Sequence, residues 1–564
     1  MRTQDTTVSG HTLQVKLVSS MEKVLPLLEP SADGFCGSLT ALKGETVSFQ
    51  AAYYGDVQRK QQGTVRIEAP AGIAVSVRTV GLVPCAYPCH REKDAGYLVT
   101  EPGMYPDLLE DITKFGFPIV SGQWRSLWIS VETGENTPAG VYPIRISLRS
   151  EADTAGMRSL AAEIEVTVEV LEAKLPALTI PHTEWFHCDC LAGYYQVEVF
   201  SEAHWSMIEN FVRHAVKRGC NMLLTPVFTP PLDTARNGER PTVQLVDVTV
   251  TEEGYEFGYD RFERWVEMCR RCGIRYYEIS HLFSQWGATA APKIIGRVNG
   301  EERKIFGWET EASSEAYGTF LRMFLTSFTD KIKRLGIAGQ CYFHISDEPT
   351  EEYLESYAYA KNLVKEYLSG YHVIDALSDY KFYEQGLVEE PVCANDHMEP
   401  FLEKRPLKLW TYYCTGQHLE VSNRFIALPG YRTRILGIQL YKYEIDGFLH
   451  WGYNFYNSEF SKYPIDPYRC TDAGGAFPSG DPFLVYPGRE GRPVDSIRSM
   501  LMEEAMADLR AMHYLEELAD RETVISCLAE EENGEITFRS YPQNADYLIR
   551  VRERVNAAIR NLTT

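Results

Sequence analysis

The chain has 564 residues, 44% of them hydrophobic and 24% charged, which fits about two or three soluble globular domains. A formal net charge of −22 excludes the basic surface that nucleic acid or an anionic membrane requires, and leaves a neutral ligand such as a sugar open. No stretch approaches the ~18 consecutive apolar residues of a membrane span, and the first twenty residues lack an apolar signal core, so a cytoplasmic location is expected.

Residues 1–175 read as all-β. Alternating stretches recur, among them GETVSFQAAYYG, GTVRIEAP, IAVSVRTVGLV, SLWISVETG, VYPIRISLRS and AAEIEVTVEVLE, with Gly, Pro and Asn turn signals between them. Many short strands at this spacing predict a β-sandwich. Glu135 to Tyr142 (ENTPAGVY) reads as a turn, and the stretch from Leu175 to Pro181 as a linker.

The texture then changes. Eight strand candidates follow: HTEWFHCD, NMLLTPVF, RYYEISHLF, QCYFHISDEP, HVIDALSD, PVCAND, KLWTYYC and GFLHWGYNF. Helical periodicity separates most of them, as in SEAHWSMIENFVRHAVKRG and DRFERWVEMCRRCG, and a β-rich excursion (TVQLVDVTVTEEGYEFGYD) interrupts the series. A (β/α)₈ barrel over residues 176–515 is the simplest closure. An open doubly wound sheet is the alternative, but no glycine-rich phosphate motif follows any strand. The amphipathic run SIRSMLMEEAMADLRAMHYLEEL suits an eighth barrel helix, and residues 516–564 form a C-terminal extension expected to pack on the barrel.

The 13 cysteines are scattered. Cys269 and Cys272 lie on a helical segment with no second CxxC at zinc-finger spacing, so they read as free thiols. Neither a metal site nor a cofactor is expected.

Barrel enzymes carry their chemistry at the C-terminal strand ends. Here those ends hold Trp185, His187 and Asp189; Ser280, His281 and Gln285-Trp286; His344, Asp347 and Glu348; Asn395, Asp396 and His397; Trp410, Tyr412 and Tyr413; and His450, Trp451, Tyr453 and Asn454. Carboxylates with aromatic walls fit glycoside chemistry. In the fourth strand, Tyr342, His344, Ser346 and Glu348 share one parity, suited to the interior and rim, while Phe343 and Ile345 share the other, suited to the helices. Asp347 would then point away, so a backbone irregularity is expected between Ser346 and Pro349, which pushes Glu348 out of the α region.

Two adjacent acids suit a substrate-assisted mechanism, with Glu348 as acid and base and Asp347 holding the acetamido N–H. Trp410 and Trp451 are candidate sugar platforms. Only one of Tyr412 and Tyr413 should face the site, because neighbours on a strand alternate. His281 and His344 could orient the carboxylates, Tyr453 and Asn454 could contact hydroxyls, and Asp189 could contact ligand or brace the first loop. A different sugar, cleaved with Asp396 or Asp189 as a remote nucleophile, and a non-catalytic carbohydrate-binding protein are the competing readings.

The motifs HISDEP (from His344), ISHLFSQWGA (from Ile279), WTYYC (from Trp410), GFLHWGYNFY (from Gly447) and GDPFLVYPG (from Gly480) resemble those of glycoside hydrolase family 123, the β-N-acetylgalactosaminidases, as do MYPDLLE and QWRSLWISV nearer the N-terminus. The resemblance covers nearly the whole chain. It implies a β-sandwich followed by a (β/α)₈ barrel, retaining substrate-assisted hydrolysis of a β-linked N-acetylhexosamine in an oligosaccharide or glycoconjugate, and an Asp-Glu catalytic pair at Asp347 and Glu348.

Overall fold

A computed structural model describes residues 13–31, 35–55, 60–112, 116–150, 160–530 and 534–563. The N-terminal part is two facing five-stranded sheets. One is antiparallel throughout, built on Thr46–Tyr54 paired with Trp124–Thr133. The other is centred on Gly140–Ser150 and Leu160–Lys174, with Ser38–Lys43 added in parallel at its edge. Their alternating apolar residues meet in one core that includes Phe49, Leu127, Ile129, Ile146 and Val168. All six expected stretches form strands. Four further strands, Gln14–Ser19, Ser38–Lys43, Gly103–Asp111 and Phe117–Ile119, lie outside the expected stretches.

Each of the eight barrel segments contains one strand: His182–Glu184, Met222–Thr225, Tyr276–Ile279, Cys341–Phe343, His372–Leu377, Glu390–Ala394, Trp410–Tyr412 and Gly447–His450. They pair in parallel and close, with Thr183 beside Leu449 completing the circle. The helices end where their sequences stop them. Ser201 and Ser314 cap Glu202–Lys217 and Glu315–Arg334 by accepting from backbone N–H groups, and Gly273, at φ +97°, closes Asp260–Cys272. The β-rich excursion supplies two strands, Asp247–Thr251 and Gly254–Gly258, of a separate four-stranded sheet over the helix Glu315–Arg334; the other two, Ile294–Val298 and Glu301–Phe306, come from the loop after the third barrel strand.

The fourth strand keeps its expected parity. Tyr342 packs inside the barrel with Trp185, Ile374 and Trp410, while Phe343 and Ile345 join the core between strands and helices. The first segment departs from expectation: its strand stops at Glu184, and a helix, Cys188–Tyr195, begins where extended chain was expected.

Sandwich and barrel are fastened by buried ion pairs. Arg498, in the helix Ile497–Leu518, makes two 2.9 Å bonds to Asp107 of the sandwich, and both side chains are fully buried. Asp495 receives Arg78 from the sandwich and Arg218 and His214 from the barrel. The C-terminal helix Ala545–Thr563 bridges the two parts, with Arg552 pairing with both Glu45 and Asp508. The extension thus packs on sandwich and barrel together. No cysteine is in a disulfide among the described residues, and none of the described helices is long and apolar enough to cross a membrane.

Candidate active site

The C-terminal strand ends surround a cavity of about 270 Å³. Its floor and walls draw on seven of the eight strand ends. Trp185, Ala376, Tyr412 and Leu449 lie at the ends of the first, fifth, seventh and eighth strands, and Gln285 and Trp286 follow the third. The second-strand loop adds Leu232 and Asp233, and the long eighth-strand loop adds Trp451, Glu459, Phe460 and Phe477. Two aromatic pairs stand in the walls, Trp286 edge-on to Phe460 at 5.7 Å and Trp451 edge-on to Phe477 at 5.2 Å.

Asp347 and Glu348 both line this cavity. Adjacent residues on a strand cannot share a face, so the backbone must turn, and it does. The ladder ends at Phe343, and Glu348 adopts φ +42°. That left-handed conformation costs a non-glycine residue roughly 1–3 kcal/mol and persists only where its surroundings enforce it. They do so with backbone bonds: the Glu348 N–H donates to the Ala376 carbonyl at 3.1 Å, and the Trp286 N–H to the Asp347 carbonyl at 2.8 Å. One step earlier, the N–H groups of Ile345 and Ser346 donate to Asp375, a buried carboxylate on the fifth strand. Pro349 excludes the right-handed region for Glu348; the chain escapes to the left-handed region rather than the extended one.

The two carboxyls are held differently. Gln285 Nε2 donates to Asp347 Oδ2 at 3.1 Å, and the Tyr412 hydroxyl donates to Glu348 Oε1 at 2.6 Å. Burial, and then the nearby Glu348, push the Asp347 carboxyl well above the ordinary carboxylate range. Burial also raises Glu348, against the opposing bond from Tyr412 and with a further push from the charge of Asp396. Such a pair is suited to holding a proton at neutral pH and exchanging it with a ligand.

Beneath the cavity lies a polar network inside the barrel. His344 donates at both ring nitrogens, to Glu278 at 2.7 Å and Asp375 at 3.2 Å. Burial opposes its charged form, but the two carboxylates prevail and raise it to about 9, so it is an imidazolium. Glu278 also accepts from Trp185 Nε1 and Thr183 Oγ1, and Asp375 from the Tyr357 hydroxyl. His281 stacks on His344 with centroids 4.2 Å apart, and neither of its nitrogens has a hydrogen-bond partner among the described residues. Burial, then the His344 charge, keep His281 neutral. His281, His344 and Asp375 are near enough to one another to suggest a metal cluster. The geometry fits an imidazolium sandwich better: near-parallel rings cannot aim their in-plane lone pairs at one ion, and both His344 nitrogens are engaged with carboxylates.

Of the residues singled out from sequence, Trp185, Gln285, Trp286, Asp347, Glu348, Tyr412 and Trp451 reach the cavity. Tyr413 faces the other way, against Phe448 and His450. The remaining candidates are placed elsewhere. His281 and His344 lie below the cavity, because their strand positions fall inside the barrel. Trp410 is deeper still, its ring filling the space over Gly447, where a Cβ would meet it at 2.3 Å. Tyr453 is turned to His214 and the Phe211 carbonyl, and Asn454 clamps both backbone polar groups of His187. Asp189 sits in the unexpected helix, locked in a two-bond pair with Arg240, and braces the first loop. Asp396 bonds His397 and Gln417 outside the cavity. Neither Asp189 nor Asp396 is therefore placed to attack a sugar held there. Asp481 braces Trp451 by accepting from its Nε1 at 3.0 Å.

Sequence reasoning missed Asp233, Glu459, Phe460 and Phe477, all in long loops without periodicity. Asp233 stands at φ +39° with its carboxylate accepting from the Phe460 N–H at 3.0 Å, and burial raises it to about 6.

A pair of buried acids among aromatic walls, at the strand ends of a barrel, is the working arrangement of a glycoside hydrolase. The catalytic-domain model of glycoside hydrolase family 123 matches residues 185–515, and the chain belongs to that family. A solved family 123 glycoside hydrolase from Clostridium perfringens, studied for glycolipid glycan hydrolysis, superposes with a TM-score of 0.71 at 16% identity, covering 98% of each chain. That likeness is one of fold. An α-2-macroglobulin from Escherichia coli covers 30% of this chain and 18% of its own length, at 12% identity and a TM-score of 0.17. No curated protein matches the sequence.

Proposed function

We propose that this glycoside hydrolase cleaves a β-linked N-acetylhexosamine, N-acetylgalactosamine foremost, with retention, using the sugar's own acetamido group as nucleophile. The observation that carries the reading is that Asp347 and Glu348, adjacent in sequence, face one cavity, while Asp189 and Asp396 are held outside it. A volume of about 270 Å³ is at the small end of ligand sites, which suits one sugar residue entering end-on. The fold likeness to an enzyme of glycolipid glycans supports a glycoconjugate or oligosaccharide as the larger substrate.

In this reading the acetamido oxygen attacks the anomeric carbon as Glu348 gives its proton to the leaving oxygen. Asp347, its own proton having passed to solvent as the sugar binds, accepts the acetamido N–H and its carboxylate balances the positive oxazolinium. Water then attacks the anomeric carbon from the vacated face, Glu348 takes its proton, and the acetamide re-forms with the original configuration. The raised pKa of Glu348 suits its first role.

Hydrolysis of nitrophenyl β-glycosides by the wild type, Asp347→Asn and Glu348→Gln tests this. Cleavage confined to 2-acetamido sugars and crippled by either substitution supports it. Efficient cleavage of a sugar without the acetamido group, or an indifferent Asp347→Asn, would require a separate nucleophile.

A further inference from the structure

Four carboxylates line the cavity, Asp347 and Glu348 together with Asp233 and Glu459, and no Lys, Arg or His lines it among the described residues. The cations that act on Asp233 are already engaged. Arg240 is bound to Asp189 by two hydrogen bonds, and Lys462 pairs with Glu459 at 3.3 Å while lying over the Phe460 ring. Asp233 itself is fixed from two directions. Its carboxylate accepts the Phe460 N–H, and its carbonyl accepts the Ser461 hydroxyl at 2.7 Å.

We infer that Asp233, assisted by Glu459, is a specificity-determining residue that admits neutral hexosamines and excludes sugars bearing a sulfate ester or a carboxylate. The inference rests on the proposed 2-acetamido-sugar reading of the same cavity. A sugar hydroxyl can donate to a carboxylate. A sulfate has only acceptors, and would lose its water beside like charges with no free cation to replace it.

The test is kcat/KM of the wild type, Asp233→Asn and Glu459→Gln on nitrophenyl N-acetyl-β-galactosaminide and its 4- and 6-sulfates, with calorimetric binding of free N-acetylgalactosamine and its 6-sulfate to the wild type. Asparagine keeps an acceptor for the Phe460 N–H, so the loop retains its anchor. The expected wild-type preference for the neutral sugar is at least about a hundredfold, narrowed about tenfold by Asp233→Asn and narrowed by added salt. Wild-type cleavage or binding of a sulfated sugar within a few-fold of the neutral one overturns the inference, as does a preference that neither substitution moves. If no nitrophenyl sugar is cleaved, the hydrolytic reading fails separately, and the two binding constants still decide the charge selectivity. Failure to bind either free sugar rejects both.

Discussion

The Tyr412 hydroxyl donates to Glu348 Oε1 at 2.6 Å, and this bond opposes the burial that raises the Glu348 carboxyl. It favours the ionised form, so it sets how far up the pH scale Glu348 stays protonated. Tyr412→Phe removes the bond and leaves the ring. Glu348 then titrates at higher pH, and the alkaline limb of the kcat/KM profile moves upward. The activity maximum falls roughly tenfold if Glu348 acts as proposed, because the base re-formed in the second step then loses a charge-assisted partner. A pH–rate profile with an unmoved alkaline limb would show that Glu348 is not the titrating acid.

Asp347 is a carboxyl whose native environment raises its pKa. The folded state therefore binds a proton there more tightly than the unfolded chain does. That contribution is fully present below the unfolded carboxylate pKa and is lost as pH rises through the raised folded value. Asp347→Asn keeps an acceptor for Gln285 and removes the cost of protonating or ionising a buried carboxyl. It should raise stability by about 0.5–2 kcal/mol at pH 7 to 8, with little gain near pH 4, while abolishing most activity. Denaturant midpoints at both pH values check this; equal midpoints at every pH would show that the carboxyl costs the fold nothing.

The places where the sequence spoke clearly are those with a period. The barrel strands are legible because each is a short apolar run between turn signals, and the alternation at Tyr342–Phe343 and Tyr412–Tyr413 sorts inside from outside. Alternation fails where the ladder ends. Asp189 lies in a stretch that reads as extended chain, but the helix beginning at Cys188 turns it to Arg240, where it braces the first loop. His344 has the parity suited to interior and rim, and it lies in the interior because the short strand Cys341–Phe343 leaves it inside the barrel, edge-on to Trp185. Asp233, Phe460 and Phe477 come from loops whose paths depend on contacts between loops, such as Phe460 with Asp233, and no local pattern encodes those.

His344 stands between two buried carboxylates, and its raised pKa, about 9, makes it the charge that neutralises them. Its folded pKa exceeds the ordinary histidine value of 6.5. The stability it supplies is therefore fully present below about pH 6.5 and is lost as pH rises through about 9. His344→Ala leaves Glu278 and Asp375 buried with a partner missing, and should destabilise the barrel by about 3–5 kcal/mol at pH 6. Thermal unfolding followed from pH 6 to 10 should show the wild-type midpoint falling toward that of the variant above pH 9. Parallel curves would mean that His344 is neutral in the folded protein.

Two of the three tryptophans that line the cavity, Trp286 and Trp451, should fail in different ways when truncated. Trp286 is 37% exposed, stands edge-on to Phe460, and holds the chain by a backbone bond that alanine keeps. Trp286→Ala should therefore leave the melting temperature within about 2 °C and raise KM several-fold, most for substrates with a second sugar, with kcat little changed. Trp451 is bonded through Nε1 to Asp481, which burial has pushed up to about 7. Trp451→Ala takes away that donor and one wall of the sugar site together. Destabilisation of about 2–4 kcal/mol should accompany a fall in kcat, and Trp451→Phe should recover the wall without the donor. A Trp451→Phe variant as stable as the wild type would show that the bond to Asp481 adds nothing and that Trp451 acts through its ring alone.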